Sequence, residues 1–472
     1  MKLSEILGKP VESDLDFKGL KEDSRLVETG DVFVYDQRIV DGGEKFVNMA
    51  REKGAVAIVT NLDIEGEDVH FLENPFDASC RYAKSVYPNQ PPCVVGVTGT
   101  NGKTSTAWFY NAIVTGAGEK AASIGTLGVY VGDTLLLETG YTSPTPLVLH
   151  QHLHELAEKG VQYCCMEISS HALAMHRADG VLLKAGAFTN ITPDHRDFHG
   201  SMEAYMAAKQ RLFTECLPEG AGAIVNIQKP ELWPIAAVSK QRNLKLVTVG
   251  SANAELVVQV QEMMPEGMKV LIKYESYRIE TVLPLVGSFQ AENIATAIGL
   301  CLQSGLSWGQ VEQGLKSIQS VPGRMEVITA KGQPVVVVDY AHTPDALKTA
   351  IEAVRPQVQG RLWTVFGCGG DRDKTKRPEM GKIANDLSDF VVVTDDNPRT
   401  ENAGSIRKDI LKMCPNALEC GDRAKAIELA VSKASKDDTI LLAGKGHESG
   451  QYVMGEVIKF DDRDQARKIL GK

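Results

Sequence analysis

The chain has 472 residues, 43% of them hydrophobic and 24% charged, and a formal net charge of −10. That length exceeds one ordinary hydrophobic core and points to about three domains, while the acidic balance argues against a general nucleic-acid surface. No apolar run approaches the roughly 20 residues needed to span a bilayer, and the opening Met1 to Leu7 lacks the long apolar core of a signal peptide.

Residues 1–88 read as a small opening domain with apolar strands at Asp31 to Tyr35 and Ala55 to Val59. Ser85 to Pro92 is polar and proline-rich, a linker. From Cys93 to about Ser320 apolar strands alternate with longer helical patterns, which predicts a parallel sheet with helices on its faces. Val161 to Ile168, Ala185 to Thr189 and Ala223 to Asn226 are its candidate central strands. A break at Val321-Pro322-Gly323-Arg324 opens a third alternating region, so the expected domains are 1–88, 89–322 and 323–472. The fold class is α/β. Nine cysteines without a Cys-x-x-Cys pair suggest neither a disulfide framework nor a zinc site, and hence a reducing compartment.

Val94 to Val97 reads as a buried strand, Thr98-Gly99-Thr100-Asn101-Gly102-Lys103 as a glycine-rich turn, and a helix begins near Thr104-Ser105. Backbone N–H groups of such a turn, with the positive end of the helix, cradle phosphate oxygens. Lys103 reaches the terminal phosphates and the Thr104 hydroxyl suits Mg2+. Val97 stands where the common spacing has glycine, so the loop is a variant. ATP or a similar nucleotide is the expected ligand.

Glu167, at a strand end, is either a Mg2+ ligand or a solvated or salt-bridged residue. Phe188 to Gly200 is dense in polar side chains directly after a strand, and the following helix holds Tyr205 and Lys209. His195 either ligates a metal or braces the turn. His150, His152 and His154 lie on a helical stretch where only His150 and His154 share a face, which reads as a surface helix. Lys374 to Arg377 reads as a basic helix start.

Four strands of the last region each end in polar or glycine-rich residues. They are Val335 to Val338 before Asp339-Tyr340-Ala341-His342, Arg361 to Phe366 before Gly367 to Arg372, Phe390 to Thr394 before Asp395 to Arg399, and Thr439 to Leu442 before Gly444 to Glu448. In an open α/β sheet such ends share one edge, where ligands bind.

Together, Thr98 to Thr104, Met166 to His171, Phe188 to Gly200, Gly323 to Glu326, Asp339 to Pro344, Gly369 to Arg377, Asp395 to Arg399 and Gly444 to Glu448 resemble the Mur ligase family, most of all its UDP-N-acetylmuramoyl-tripeptide synthetase branch. The resemblance spans nearly the whole chain and is weakest in the first 90 residues and between about 228 and 280. It implies an N-terminal uridine-nucleotide domain, a central P-loop ATPase and a C-terminal Rossmann-like amino-acid domain. The implied enzyme is an ATP-dependent amide ligase of the bacterial cytoplasm, a monomer handling small molecules, with no nucleic acid or membrane partner. It adds meso-diaminopimelate to UDP-N-acetylmuramoyl-L-alanyl-D-glutamate through an acyl phosphate.

The resemblance also implies roles. Lys103, Glu167, His195 and Lys209 would be catalytic, with Thr104, Glu167, His195 and a carbamylated Lys209 on Mg2+. Gly99, Thr100, Asn101, Gly102, Lys103, Thr104, Ser105, Asn293, Arg324 and Asp339 would contact ATP. Ser24, Thr142, Ser143, Ser169 and Arg177 would hold the acceptor. Arg372, Asp396, Asn397, Pro398, Arg399, Gly444 and Glu448 would form the amino-acid pocket, with Arg399 clamping the distal carboxylate of diaminopimelate.

The sequence departs from the family in three places. Val34 to Gly43 is unusual, relatives generally having a histidine where Gly43 stands. Met175 occupies a place often held by glutamine, and Gln290 one where asparagine is common. Competing readings are an L-lysine-adding enzyme of the same type, a folylpolyglutamate-synthase-like ligase with another acceptor, and a P-loop ATPase that drives conformational work.

Overall fold

The computed structural model describes residues 1–12, 14–39 and 42–472. The chain divides into two compact units, one of residues 1–250, 254–256 and 295–317, the other of residues 251–253, 257–294 and 318–472.

The first unit opens with a parallel sheet of β1 (Leu20–Lys21), β2 (Val32–Tyr35), β3 (Ala57–Thr60) and β4 (Val69–Phe71), in that order. Helices α1 (Leu3–Leu7), α2 (Gly43–Glu52) and α3 (Phe76–Val86) pack on it. Val32 and Val34 pack with Leu3, Ile6 and Phe76, while Phe33 and Tyr35 pack with Val47 and Ala50. Burial on both faces explains why this strand is apolar throughout and does not alternate.

A second sheet follows, from β5 (Cys93–Thr98), β6 (Ala121–Gly125), β7 (Gly128–Val131), β8 (Thr134–Leu137), β9 (Tyr163–Glu167), β10 (Leu183–Phe188), β11 (Gly222–Asn226) and β12 (Lys245–Gly250). Their order is β12-β11-β10-β5-β9-β6-β7-β8, parallel except for the β6-β7-β8 meander. β5 therefore has β9 on one side and β10 on the other, a switch point at whose carboxyl edge ligands bind in such sheets. The helices are α4 (Lys103–Gly116), α5 (Pro146–Glu158), α6 (Ser170–Ala174), α7 (Arg196–His199), α8 (Met202–Arg211), α9 (Trp233–Gln241), α10 (Gln290–Gln303, of which residues 295–303 belong to this unit) and α11 (Trp308–Leu315). α11 crosses α4 so closely that a Cβ on Gly314 would lie 2.1 Å from the Ile113 carbonyl oxygen, which accounts for glycine there.

α5 corrects the surface reading of its histidines. His150 and His152 are buried, and burial holds both rings below the ordinary histidine value. The His152 ring lies 3.3 Å from the Tyr141 hydroxyl. Leu149, Leu153 and Leu156 face the core of the second sheet, and the same helix also packs on α3. Two covered faces leave little of it to solvent.

The second unit carries a meander of β13 (Leu256–Met264), β14 (Gly267–Tyr274) and β15 (Tyr277–Leu283), and a sheet from β16 (Glu326–Ile328), β17 (Val335–Asp339), β18 (Leu362–Phe366), β19 (Phe390–Val393), β20 (Leu418–Glu419) and β21 (Thr439–Ala443). That sheet runs β16-β17-β21-β18-β19-β20, parallel apart from β16. Helices α12 (Pro344–Val354), α13 (Lys376–Leu387), α14 (Ala403–Leu411), α15 (Arg423–Lys433) and α16 (Asp462–Ile469) cover it, and β22 (Gly450–Val453) pairs with β23 (Glu456–Lys459) in a hairpin. Two apolar clusters, one around Val337, Phe366 and Leu441 and the other around Val338, Val365 and Leu442, bury both faces. The carboxyl ends of β17, β18, β19 and β21 share one edge, where the four polar segments stand.

Among the described residues no helix is long and apolar enough to cross a membrane, and the nine cysteines are free.

Candidate active site

The first cluster lies at the carboxyl end of β5. A Cβ on Gly99 would fall 1.9 Å from Thr189 Oγ1, so only glycine lets the loop pass β10. Gly102 turns into α4 with φ 83°. Lys103 Nζ donates to the carbonyls of Gly99 and Thr100, both at 2.8 Å. The end of β10 clamps the loop from outside. The Thr100 N–H donates to Asn190 O at 2.8 Å and the Asn101 N–H to Asn190 Oδ1 at 3.0 Å. Asn101 O accepts from Thr189 Oγ1 at 2.6 Å and Asn190 Nδ2 at 3.1 Å. With the Thr100 and Asn101 N–H groups taken up in holding the loop, it is the fixed start of α4 at Gly102 and Lys103 that suits an anion at little reorganisation cost.

Thr104, in the first turn of α4, donates from Oγ1 to Glu167 Oε2 at 2.9 Å. Glu167, the last residue of β9, is 2% exposed. Its Oε1 accepts from the Thr126 N–H at 2.8 Å, and Thr126 Oγ1 lies 3.0 Å from Thr142 Oγ1. A Cβ on Gly125 would lie 2.0 Å from Glu167 Oε1. Hydroxyl and carboxylate oxygens thus converge beside the phosphate loop, a donor set that fits a hard cation such as Mg2+.

Next to them Ser143 Oγ donates to Glu167 O and accepts from the Ser169 N–H, both at 3.0 Å. Ser169 caps α6. Arg177 lies 5.5 Å over the Phe76 ring and donates from Nη1 to Ser143 O at 3.5 Å. Thr142, Ser143, Ser169 and Arg177 therefore stand together with Glu167.

Lys209, on α8, is 1% exposed. Its Nζ donates to Gly99 O at 2.8 Å and sits 4.7 Å over the Tyr205 ring. Burial, then the Lys103 charge, push its ammonium well below the ordinary lysine value. His195 has φ 48° and lies 3.5 Å from Asp194. Its ring is edge-on to His171 at 4.7 Å. No described hydrogen bond or ion pair joins it to Thr104, Glu167 or Lys209. Burial, with His195 and His199, lowers His171 to about 4.

In the second unit Asp339 ends β17 and accepts from the N–H groups of Met325 and Ala341, both at 2.9 Å. Burial raises its carboxyl above the usual range, against the pull of Arg324. Arg324 stacks 4.5 Å over the Tyr340 ring. Asn293 is buried and donates to Gln290 Oε1 at 2.8 Å.

A second cluster lies past β19 and β21. Asp396 and Asn397 are each 5% exposed and Lys445 is fully buried. Lys445 Nζ donates to Asn397 Oδ1 at 3.1 Å and Glu448 Oε2 at 3.2 Å, and lies 3.7 Å from Asp396 Oδ1. Asn397 Nδ2 donates to Glu448 Oε2 at 3.0 Å. Arg399, at φ 50°, is held by its N–H to Tyr452 O at 2.9 Å and by the Met454 N–H to its own carbonyl at 2.7 Å. Its Nη1 donates to Gly370 O at 2.8 Å. Gly444 approaches Asp396, a Cβ there lying 3.4 Å from Oδ2. Arg372 is exposed, outside these contacts.

Lys445 is the residue that the sequence reading quoted within a motif but did not single out; its position between two glycines past a strand was the available signal. The basic run does open a helix, α13, but Arg377 does not decorate its surface. Arg377 is 1% exposed and donates to Glu401 at 2.9 Å and Asp409 at 3.2 Å, bracing the pocket wall with a further contact to Gly369 O at 3.5 Å.

In the opening sheet Ser24 is buried and donates to Met49 Sδ at 3.3 Å. Gly43 has no room for a side chain, since a Cβ would meet Tyr35 Cε1 at 2.5 Å. Asp36 and Arg38 form a short ion pair, and Arg38 Nη1 donates to Ala174 O at 3.0 Å. Met175 is buried in the core with Leu3 and Phe76. Val40 and Asp41 of the unusual segment lie outside the described residues. Among the described residues one group, Asp77, His176 and Asp179, has metal-ligand spacing. Arg211 already donates to Asp179 at 3.1 Å, which fills it with a guanidinium.

Residues 97–301 match the family described as the Mur ligase middle domain, and residues 323–446 that described as the Mur ligase, glutamate ligase domain. A UDP-N-acetylmuramoyl-L-alanyl-D-glutamate–2,6-diaminopimelate ligase of Zymomonas mobilis subsp. mobilis is 43% identical over 470 residues, 98% of this chain and 96% of its own length. A solved structure of an enzyme of that name is 29% identical with a TM-score of 0.73, covering 100% of this chain and 99% of its own. MurF ligase from Thermotoga maritima, solved with ADP, is similar in fold, with a TM-score of 0.62 at 20% identity over 96% of this chain and 97% of its own.

Proposed function

This chain belongs to the Mur ligase family, and on that premise we propose that it is the ATP-dependent ligase adding meso-diaminopimelate to UDP-N-acetylmuramoyl-L-alanyl-D-glutamate. The γ-phosphoryl group of ATP passes to the free glutamate carboxylate, giving an acyl phosphate and ADP. An amino group of diaminopimelate attacks the acyl carbon, and phosphate leaves as the amide forms. Phosphoryl transfer between anions depends on positioning and charge neutralisation.

The residues divide that work. Gly99, Thr100, Asn101, Gly102, Thr104 and Ser105 present the loop and helix start to the triphosphate, and Lys103 turns from its two carbonyls toward phosphate oxygens. Bound at Thr104 and Glu167, Mg2+ supplies neutralisation of phosphate charge. Thr142, Ser143, Ser169 and Arg177 orient the acceptor carboxylate beside this point, and Ser24 serves the uridine end. Asn293, Arg324 and Asp339 are assigned to the nucleotide. Lys209 is assigned as a carbamate that, with His195, completes the cation-binding set. Asp396, Asn397, Pro398, Gly444 and Glu448 receive the ammonium end of the diamino acid. Arg399 and Arg372 receive its carboxylates, the Arg399 fork making parallel hydrogen bonds that lysine cannot offer. The same reading divides the chain into domains 1–88, 89–322 and 323–472, and makes it a bacterial cytoplasmic monomer acting on small molecules.

The observation that carries this reading is the buried meeting of Asp396, Asn397, Glu448 and Lys445 beside Arg399. A motor ATPase has no use for such a pocket. The test is a substrate panel followed by product mass. The expected product is the tripeptide nucleotide, formed with diaminopimelate in preference to L-lysine. Preferential lysine transfer, or transfer to a different acceptor, overturns it.

A further inference from the structure

Lys445 is carried inward between two glycines in the left-handed region, Gly444 at φ 116° and Gly446 at φ 54°. The turn delivers a fully buried ammonium to two hydrogen-bond acceptors, Asn397 Oδ1 and Glu448 Oε2, and to within 3.7 Å of Asp396 Oδ1. A buried cation is tolerated only where opposite charge compensates it. The compensation here is unequal, because two carboxylates face one ammonium.

Three other arginines beside the pocket have ionic partners of their own. Arg423 and Asp462, both fully buried, form a two-bond pair at 2.7 and 2.6 Å. Asp395 pairs with Arg407, and Arg377 with Glu401 and Asp409. What remains is Asp396 and Glu448 against Lys445, with Arg399 at the far end of the same segment. Among these groups two negative and two positive charges sum to zero; Arg372, the other arginine assigned to the site, is exposed and its charge is screened by solvent. Asp396 Oδ1 is buried with no hydrogen-bond partner in the described structure. An acceptor left open in this way suits an arriving ammonium.

We propose that Lys445 is a specificity-determining residue: it sets the pocket at zero net charge and so favours a diamino diacid, itself net neutral, over a diamino monoacid, which carries one net positive charge. The proposal rests on the reading of this pocket as the amino-acid site. Without the Lys445 charge the pocket is net negative by one, which attracts the net-cationic amino acid. One uncompensated charge within about 6 Å at partly buried sites shifts relative affinity by about tenfold or more.

The experiment uses the full-length enzyme with ATP and the dipeptide nucleotide, and measures kcat/KM for meso-diaminopimelate and for L-lysine. Lys445→Met keeps the chain length and removes the charge. It is expected to lower the diaminopimelate-to-lysine ratio about tenfold or more, mainly through KM. Adding Glu448→Gln to it restores neutrality and is expected to bring the ratio back. Glu448→Gln alone, with Lys445 in place, makes the pocket net positive and is expected to raise the ratio. This last variant keeps the test decisive if the methionine variants do not fold. A ratio unchanged in Lys445→Met, or unchanged or lowered in Glu448→Gln, overturns the proposal while leaving the ligase reading intact. A wild type that couples neither amino acid overturns the ligase reading itself, and the proposal with it.

Discussion

Lys103 and Lys209 donate to one oxygen, the carbonyl of Gly99, each across 2.8 Å. Two ammonium groups on a single acceptor repel. Burial and that repulsion both push Lys209 toward its neutral form. A neutral amine is what carbon dioxide needs: the nitrogen lone pair forms the N–C bond and a proton is released, leaving an anion in place of a cation. In 13C-bicarbonate the wild type should show a carbamate carbon resonance that Lys209→Arg lacks. The arginine variant should lose about a hundredfold or more in kcat. An active, unlabelled Lys209→Arg enzyme contradicts the assignment.

Gly125 guards the carboxylate. A methyl group there would lie 2.0 Å from Glu167 Oε1 and displace it from both Thr126 and Thr104. Gly125→Ala should keep its circular dichroism spectrum and lose kcat by about a hundredfold. A variant with the kcat of wild type would show that the Thr104–Glu167 contact is dispensable.

His176 gives a pH signature. Its Nδ1 lies 3.0 Å from Asp179 and 3.2 Å from Asp77. Burial disfavours the charged ring, but the two carboxylates outweigh it and lift the group from 6.5 to about 9. A raised value in the folded state means that the stabilisation is complete below about pH 6.5 and lost as pH rises through about 9. His171 and His447, lowered to about 4, act in the opposite sense, losing stability only as pH falls below 6.5. Between pH 7 and 9 the contribution of His176 should therefore fall by about 2 kcal/mol of unfolding free energy. His176→Asn, whose side chain tolerates the φ of 60°, should flatten that slope in urea titrations. An equal slope in both proteins would contradict it.

Much of this was legible in the sequence. Strand periods and terminal glycines located β5, β9, β10, β17, β18, β19 and β21 to within a residue or two, because buried parallel strands are apolar throughout and stop where polar chemistry begins. The phosphate loop and Asp396 to Arg399 announced themselves as local patterns. Long-range partners did not. Lys445 reaches Asn397 across 48 residues, Arg377 reaches Glu401 across 24, and His176 meets Asp77 on α3. The histidines of α5 read as exposed because a helix covered on two sides keeps polar residues that hydrogen-bond inside it. Gly43 stood out as a departure, and its reason, the Tyr35 ring, lies on a neighbouring strand.

Arg399 is strained at φ 50° and held there by the hairpin residues Tyr452 and Met454. Both Arg399→Ala and Arg399→Lys should raise KM for diaminopimelate by about thirtyfold or more, since an ammonium cannot reproduce the two parallel bonds of the guanidinium. The KM for L-lysine should change by less than about threefold. Full rescue by lysine at this position would show that only charge is read.

The central claim is that ATP cleavage is tied to joining one acid and one amine, and ADP release measures this directly. With ATP and Mg2+ present, ADP should accumulate only when the dipeptide nucleotide and meso-diaminopimelate are both supplied, in step with tripeptide formation, and Lys103→Ala should abolish both. Steady ADP release with neither substrate, or undiminished coupling by Lys103→Ala, would contradict the account.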